Sequence, residues 1–289
     1  MGSAIPADLR KGRTSRLGRR AFRHVAFAIG FAITVVLVAT AALSLVYTPW
    51  DPLEMSIGGR LQGPTEDHLL GTDQFGRDLL SRIMTGAVTS ILVGVIAVGI
   101  GMGVGVVLGV LSGYFGGWLD EGFMRLMDAV QGFPAILSAL LMAAVFRPSL
   151  GVSMVAIGVA FLPVFARVTR ASFLEFRDRE FVLAARALGA GDRAVIARHI
   201  LPNTLPPLIV QATISFPVAI LAEAALSYLG LGTQPPHPSW GLMLKESQAF
   251  LGMNPWYAVF PGSAIAVTVL GLNLLGDGLR DLLDPKLSG

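Results

Sequence analysis

The chain has 289 residues, 53% of them hydrophobic and only 14% charged, with a formal net charge of +3 and no cysteine. A soluble domain carries about 25% charged residues, so a mean hydropathy of +0.66 and several apolar runs longer than 16 residues put this chain in a lipid bilayer. Without cysteine it has no disulfide framework, no thiolate metal site and no thiol nucleophile. The isoelectric point near 9.6 comes from basic residues that flank apolar segments without interleaved aromatics, which is membrane anchoring rather than nucleic-acid binding.

Residues 1–24 form a basic tail carrying Arg10, Lys11, Arg13, Arg16, Arg19, Arg20 and Arg23. The apolar run Val25–Val46 follows. It is 22 residues long, too long for the roughly 7–15 residues of a cleavable signal core, and is expected to be a retained first span. Residues 47–86 form an external segment in which Gly71 and Gly76 mark turns and Asp73, Arg77 and Asp78 pair to fix the backbone. The second span, Ala87–Leu111, opens a five-span core running to residue 281. Gly101, Gly105, Gly109 and Gly113 recur every four residues there, which puts small residues on one helical face and lets another helix approach closely. Packing within the subunit is the preferred reading of that face, and a sliding surface is the alternative. A third span is expected at Phe123–Phe146 and a fourth at Leu150–Ala166, interrupted by Pro134 and Pro163, each of which removes a helix hydrogen bond.

Residues 167–203 break the apolar pattern. Seven of the 22 basic residues lie here: Arg167, Arg170, Arg177, Arg179, Arg186, Arg193 and Arg198. Phe181 through Leu188 is built from good helix formers. Gly189-Ala190-Gly191 ends that helix, because glycine readily takes the left-handed conformation of a helix C-terminus. Asp192 is the expected N-cap of a second helix reaching Ile200, closed by Pro202 before the next span. The fifth span, Leu208–Leu229, contains Pro217 and Glu223. An ionisable residue in a span is a candidate for function by default, so Glu223 is a candidate for the solute path or a gate, against the plainer reading of a hydrogen bond to neighbouring helices. A stiff Pro-rich loop at 235–238, an amphipathic stretch at Trp240–Phe250, the sixth span Ala258–Leu275 and a short tail at 282–289 complete the chain.

The charges orient it. Segments 1–24, 114–125, 167–203 and 276–289 hold 17 Lys and Arg, and the alternate segments hold 5. The basic side of a membrane protein is the cytoplasmic one, so both termini are expected in the cytoplasm.

The stretch Ala184-Ala185, Gly189 and Leu201-Pro202 resembles the EAA loop of bacterial ABC importer permeases. Leu70–Asp78, Leu229–Gly241, Asn273–Asp281 and Asp284-Pro285-Lys286 are similar to the second permease subunit of the dipeptide, oligopeptide, nickel and glutathione importers. The resemblance implies an all-α fold, the type I ABC importer permease, with six transmembrane helices and a coupling loop. It also implies a bacterial inner-membrane location. The implied docking residues are Leu183, Ala184, Ala185, Arg186, Gly189, Asp192, Arg193, Leu201 and Pro202, with the two alanines seated in an ATPase groove and Arg186 and Arg193 at its rim. Where the family carries glutamate this chain has Leu183, so that glutamate's contact is not carried over.

Implied partners are a homologous permease, two ATPase subunits that hold ATP and Mg, an external solute-binding protein and the lipid bilayer. The chain itself shows no Walker loop, because Lys11, Lys245 and Lys286 lack the glycine-rich context. It has no His-Glu-x-x-His site and no nucleophile–base pair, and no catalytic residue, cofactor or metal is expected on it. An ion-gradient-driven secondary transporter is the alternative, but coupling acids near mid-membrane and an internal inverted repeat are not evident.

Overall fold

A computed structural model of the chain describes residues 25–283. The basic tail of 1–24, and Asp284-Pro285-Lys286 within the 282–289 tail, lie outside the described residues. The helices are α1 (Val25–Ser44), α2 (Leu79–Phe115), α3 (Gly117–Gly132), α4 (Ala135–Phe146), α5 (Leu150–Phe176), α6 (Glu180–Ala187), α7 (Asp192–Ala194), α8 (Leu201–Tyr228), α9 (Trp240–Ser247) and α10 (Trp256–Leu283). Five helical stretches among the described residues are long and apolar enough to cross a membrane: Val25–Ser44, Leu79–Phe115, Leu150–Phe176, Asp192–Tyr228 and Trp256–Leu282. α3 and α4, which meet at 90°, pass the same test of length and composition only when taken together, and counted as one broken span they bring the number to six.

That bend corrects the expected third span. A single helix over 123–146 does not form, because Phe133, forced out of the helical region by the proline after it, adopts φ −91° and ψ 126°. Pro134 then starts α4 afresh. Pro163 and Pro217, by contrast, stay inside continuous helices. α3 lies across the C-terminal part of α5, where Arg170 grips both carboxylate oxygens of Asp120 at 2.5 and 2.7 Å and Arg167 reaches Asp128 at 2.6 Å. The fourth span is longer than expected for the same reason: Arg167 and Arg170 belong to α5, which continues to Phe176.

Glycine spacing places the centre of the molecule. A β-carbon built on Gly101 would stand 2.5 Å from Cβ of Phe161, one on Gly105 2.8 Å from Cβ of Phe165, one on Gly109 2.5 Å from Cβ of Thr169, and one on Gly113 2.7 Å from Cβ of Phe173. Residue numbers rise together on both sides, so α2 and α5 run parallel with their backbones almost touching. The stripe is a packing surface. Val93, Ala97, Val98, Met154, Ile157, Phe161 and Phe165 fill the core beside it, closed by Leu208 and Ala219 of α8. α1 crosses α10 through a similar approach at Gly30, Gly271 and Gly278, which meet Leu275, Ile33 and Phe27.

The α2–α5 contact yields a test. Gly105→Ala pushes a methyl group into Phe165 and should cost about 1–3 kcal/mol by overpacking. Gly103 has open space around its Cα, so Gly103→Ala should not lower stability. Thermal unfolding of the purified chain should rank Gly105→Ala below both Gly103→Ala and the unmodified protein.

Candidate docking hairpin and external cap

At the end where α2 and α5 finish, α6 and α7 fold back as a hairpin. Its sharp turn is a glycine cap. Gly189 adopts φ +87°, its N–H donates to the Arg186 carbonyl at 2.9 Å, and the Ala190 N–H donates to the Ala185 carbonyl at 3.0 Å. This is the two-bond arrangement that satisfies the last carbonyls of a helix. The expectation for Gly189 therefore holds. Beneath the turn, Tyr114, Phe173, Val182, Val195 and Ile200 form a separate apolar core, with Leu201 packed at its edge.

Ala185 is only 9% exposed, so most of its surface is covered within this chain, while Ala184 beside it stays exposed. Two expectations need correcting here. Asp192 is not an N-cap: Gly191 holds that position without a side-chain bond, and the Asp192 carboxylate accepts from the Tyr114 hydroxyl at 2.5 Å. Pro202 does not close a helix. α7 runs through a π-helical turn, Val195–Ile200, directly into α8, and Pro202 sits in the first turn of α8, where a missing N–H is tolerated.

The outward face of the hairpin is apolar in an unusual place. Leu188 is 89% exposed and Leu183 52%, with Phe181 and Ala184 also exposed beside them and Arg193 open to solvent. Arg186 lays its guanidinium over the Tyr114 ring, 5.3 Å from its centre, and is a hairpin fastener as well as a surface charge. Leu188 and Tyr114 were missed as site residues. A leucine just before a helix-ending glycine in a basic loop was a readable signal, whereas nothing local ties Tyr114 to a residue 78 positions later.

At the opposite end, residues 47–78 and 229–256 form a cap. Asp73, Arg77, Asp78 and Arg82 are all almost completely buried. Arg77 pairs with Asp73 at 2.6 Å and, together with Arg82, with Glu246 of α9 at 3.3 Å. Tyr257 of α10 also donates to Glu246 at 3.0 Å. The expected Asp73–Arg77 pair is present. Asp78 instead caps α2, accepting from the Ser81 N–H at 2.8 Å and contacting His68 at 3.0 Å. Gly71 and Gly76 sit at turns with positive φ, as expected. The stretch Trp240–Phe250 forms α9 and a following 3-10 turn, and Trp240 inserts against Gly86, donating its indole N–H to the Ile83 carbonyl at 3.0 Å.

Glu223 belongs to this cap. It is 1% exposed, and its carboxylate accepts from Ser227 at 2.5 Å and Thr233 at 3.1 Å. The Thr233 N–H in turn donates to Ser227 at 2.8 Å. The side chain fastens the loop after α8 to the end of that helix, with partners on its own helix and loop rather than on a neighbouring helix. A cavity of about 530 Å³ lies between α8, α9 and α10 and is walled by Leu221, Tyr228, Leu244 and Ile265 among other mostly apolar residues.

Residues 105–289 match the family model described as binding-protein-dependent transport system inner membrane component. Over 259 residues the chain is 43% identical to the dipeptide transport system permease protein of Alkalihalophilus pseudofirmus, covering 90% of this chain and 85% of that protein. It is 42% identical over 272 residues to the glutathione transport system permease protein of Shigella flexneri serotype 5b, with 93% and 90% covered. It is 41% identical over 260 residues to the probable D,D-dipeptide transport system permease protein of Escherichia coli K12, with 89% and 87% covered. Among solved structures, a chain of the MetNI methionine ABC transporter, in an inward-facing conformation, aligns with a TM-score of 0.55 at 21% identity, covering 68% of this chain and 91% of that one. That likeness concerns the fold.

The glycine cap makes its own prediction. Any Cβ at Gly189 meets open space, so only backbone strain opposes a substitution. Gly189→Val should cost about 1–2 kcal/mol, read as amides of 180–190 exchanging roughly ten-fold faster with deuterium. Gly189→Asn should cost less, because asparagine tolerates the left-handed region.

Proposed function

Because this chain belongs to the family of binding-protein-dependent transport system inner membrane components, we infer that its exposed hairpin is the surface on which an ATPase docks. The chain is a non-catalytic, multi-pass permease subunit of an inner-membrane ABC importer, and ATP is bound by separate ATPase subunits. In the assembly we envisage, it pairs with a homologous permease to enclose the path, two ATPases hold ATP and Mg below, and a solute-binding protein meets the external cap. Both termini face the cytoplasm in that arrangement, in accord with the distribution of basic residues. The relatives' names favour peptides or glutathione as the imported class.

The observation that carries the docking role is Leu188. An 89% exposed leucine beside Leu183 and Phe181, on a loop rich in arginine and at the end of the spans, has no lipid tail or internal core to cover it. Apolar side chains rimmed by charge mark a protein contact. Nucleotide-driven closure of the ATPase pair would drag this hairpin, and the helices rooted in it would tilt to open the path on alternate sides.

Leu188→Asp leaves every internal contact of the hairpin in place. The chain should still insert and fold, while the ATPases recovered on affinity purification of the complex should fall at least ten-fold. Retention of the ATPases at the unmodified level would remove the docking role. For the orientation, a cysteine at Gln62 should react with an impermeant thiol reagent added outside intact cells, and a cysteine at Arg193 should not. The reverse pattern would invert the topology.

A further inference from the structure

Among the described residues, Tyr114 of α2 meets both helices of the hairpin. Tyr114 is the penultimate residue of α2 and is 8% exposed. From α6, Arg186 covers its ring; from α7, Asp192 accepts its hydroxyl proton at 2.5 Å. The chain enters the hairpin from α5 through a short linker, 177–179, and leaves it directly into α8, so motion of the hairpin reaches α5 and α8 through covalent backbone. Its routes to α2 are non-covalent: the glycine-lined contact with α5, reached across the linker, and the hairpin's own contacts with α2. Apolar contacts of the hairpin core are non-directional and let one surface slide on another. The remaining polar link, Arg177 to the Gly113 carbonyl at 3.4 Å, is long. A short hydrogen bond to a carboxylate is directional and strong.

We propose that Tyr114 is a positioning residue that latches α2 to the docking hairpin through Asp192, so that α2 follows the hairpin when the ATPases move it. This rests on the docking role given above. α2 and α5 share the glycine-lined contact, so a force entering at Tyr114 moves the pair as one body. Without the latch the hairpin shifts under α2, and ATP is hydrolysed without the path changing sides. Tyr114 touches no solute and no nucleotide.

The test uses the whole complex, this chain with its companion permease and both ATPases, in proteoliposomes supplied with binding protein and radiolabelled dialanine. Tyr114→Phe deletes only the hydroxyl, and Asp192→Ala deletes the acceptor. Both variants should assemble. Amides of 180–200 should exchange roughly ten-fold faster with deuterium, and the ATP hydrolysed per dialanine imported should rise at least five-fold. Asp192→Asn keeps an oxygen that accepts from the tyrosine and should restore most of the coupling. Unchanged exchange and an unchanged ratio in Tyr114→Phe and Asp192→Ala would overturn the latch. So would hydrolysis and transport falling in proportion, the result of weakened assembly, or Asp192→Asn failing as badly as Asp192→Ala. If the unmodified complex imports no dialanine, the solute assignment falls. The exchange comparison then decides the latch by itself, because it needs no substrate.

Discussion

Helices in a bilayer are not driven together by exclusion of water, so their contacts depend on how closely the backbones can approach. Gly101, Gly105, Gly109 and Gly113 meet that constraint for α2 and α5, and much else follows from it. Because the two helices run parallel in fixed register, the chain must return to the far side of the membrane between them. The bent α3–α4 pair makes that return. The same register brings Tyr114 and Phe173 level at one end, where their side chains form the floor on which the hairpin is built. Misplace α2 by one turn and the hairpin core, the Tyr114–Asp192 bond and the Arg170–Asp120 pair lose their partners together.

Much of this was legible in the sequence because its causes are local. Apolar length marked the spans, and glycine spacing marked a helix contact without naming the other helix. Gly189 was identified as a left-handed helix end from composition and position alone. Failures occurred where a distant partner decided the outcome. Asp192 has every local quality of an N-cap, yet a tyrosine far away in sequence takes its carboxylate. Which face of the first hairpin helix is exposed was also set by distant contacts: Ala185 is nearly buried while Leu183 and Leu188 stand out. Pro202 looks like a stop and is instead the first turn of a long helix, since a π-helical turn absorbs the change of phase. Pro134 was recognised as an interruption, and only its magnitude, a right-angle bend, was beyond reach.

The two ends of the molecule use polar chemistry differently. In the cap the charges are paired and mostly buried: Asp73, Arg77, Arg82 and Glu246 join three separate segments into one unit, although Arg82 Nε has no hydrogen-bond partner. Charges placed out of water are costly unless paired in good geometry, so the cluster specifies one arrangement of the cap. Glu246 and Tyr257 were absent from the sequence reading, as neither neighbours the Asp73–Arg77 motif in the chain. At the hairpin end most charges are exposed, and the short polar link to α2 is the part-buried Tyr114–Asp192 bond. A rigid cap suits a surface that receives a partner, and a sparsely fastened hairpin suits an element that must move.

Docking of the exposed hairpin tip on an ATPase can be probed with a photoreactive amino acid at position 188 of the full complex in native membranes. Irradiation should tie this chain to an ATPase subunit in one dominant product, abolished when the ATPases are omitted. Products confined to lipid, to the companion permease or to the external binding protein would contradict it.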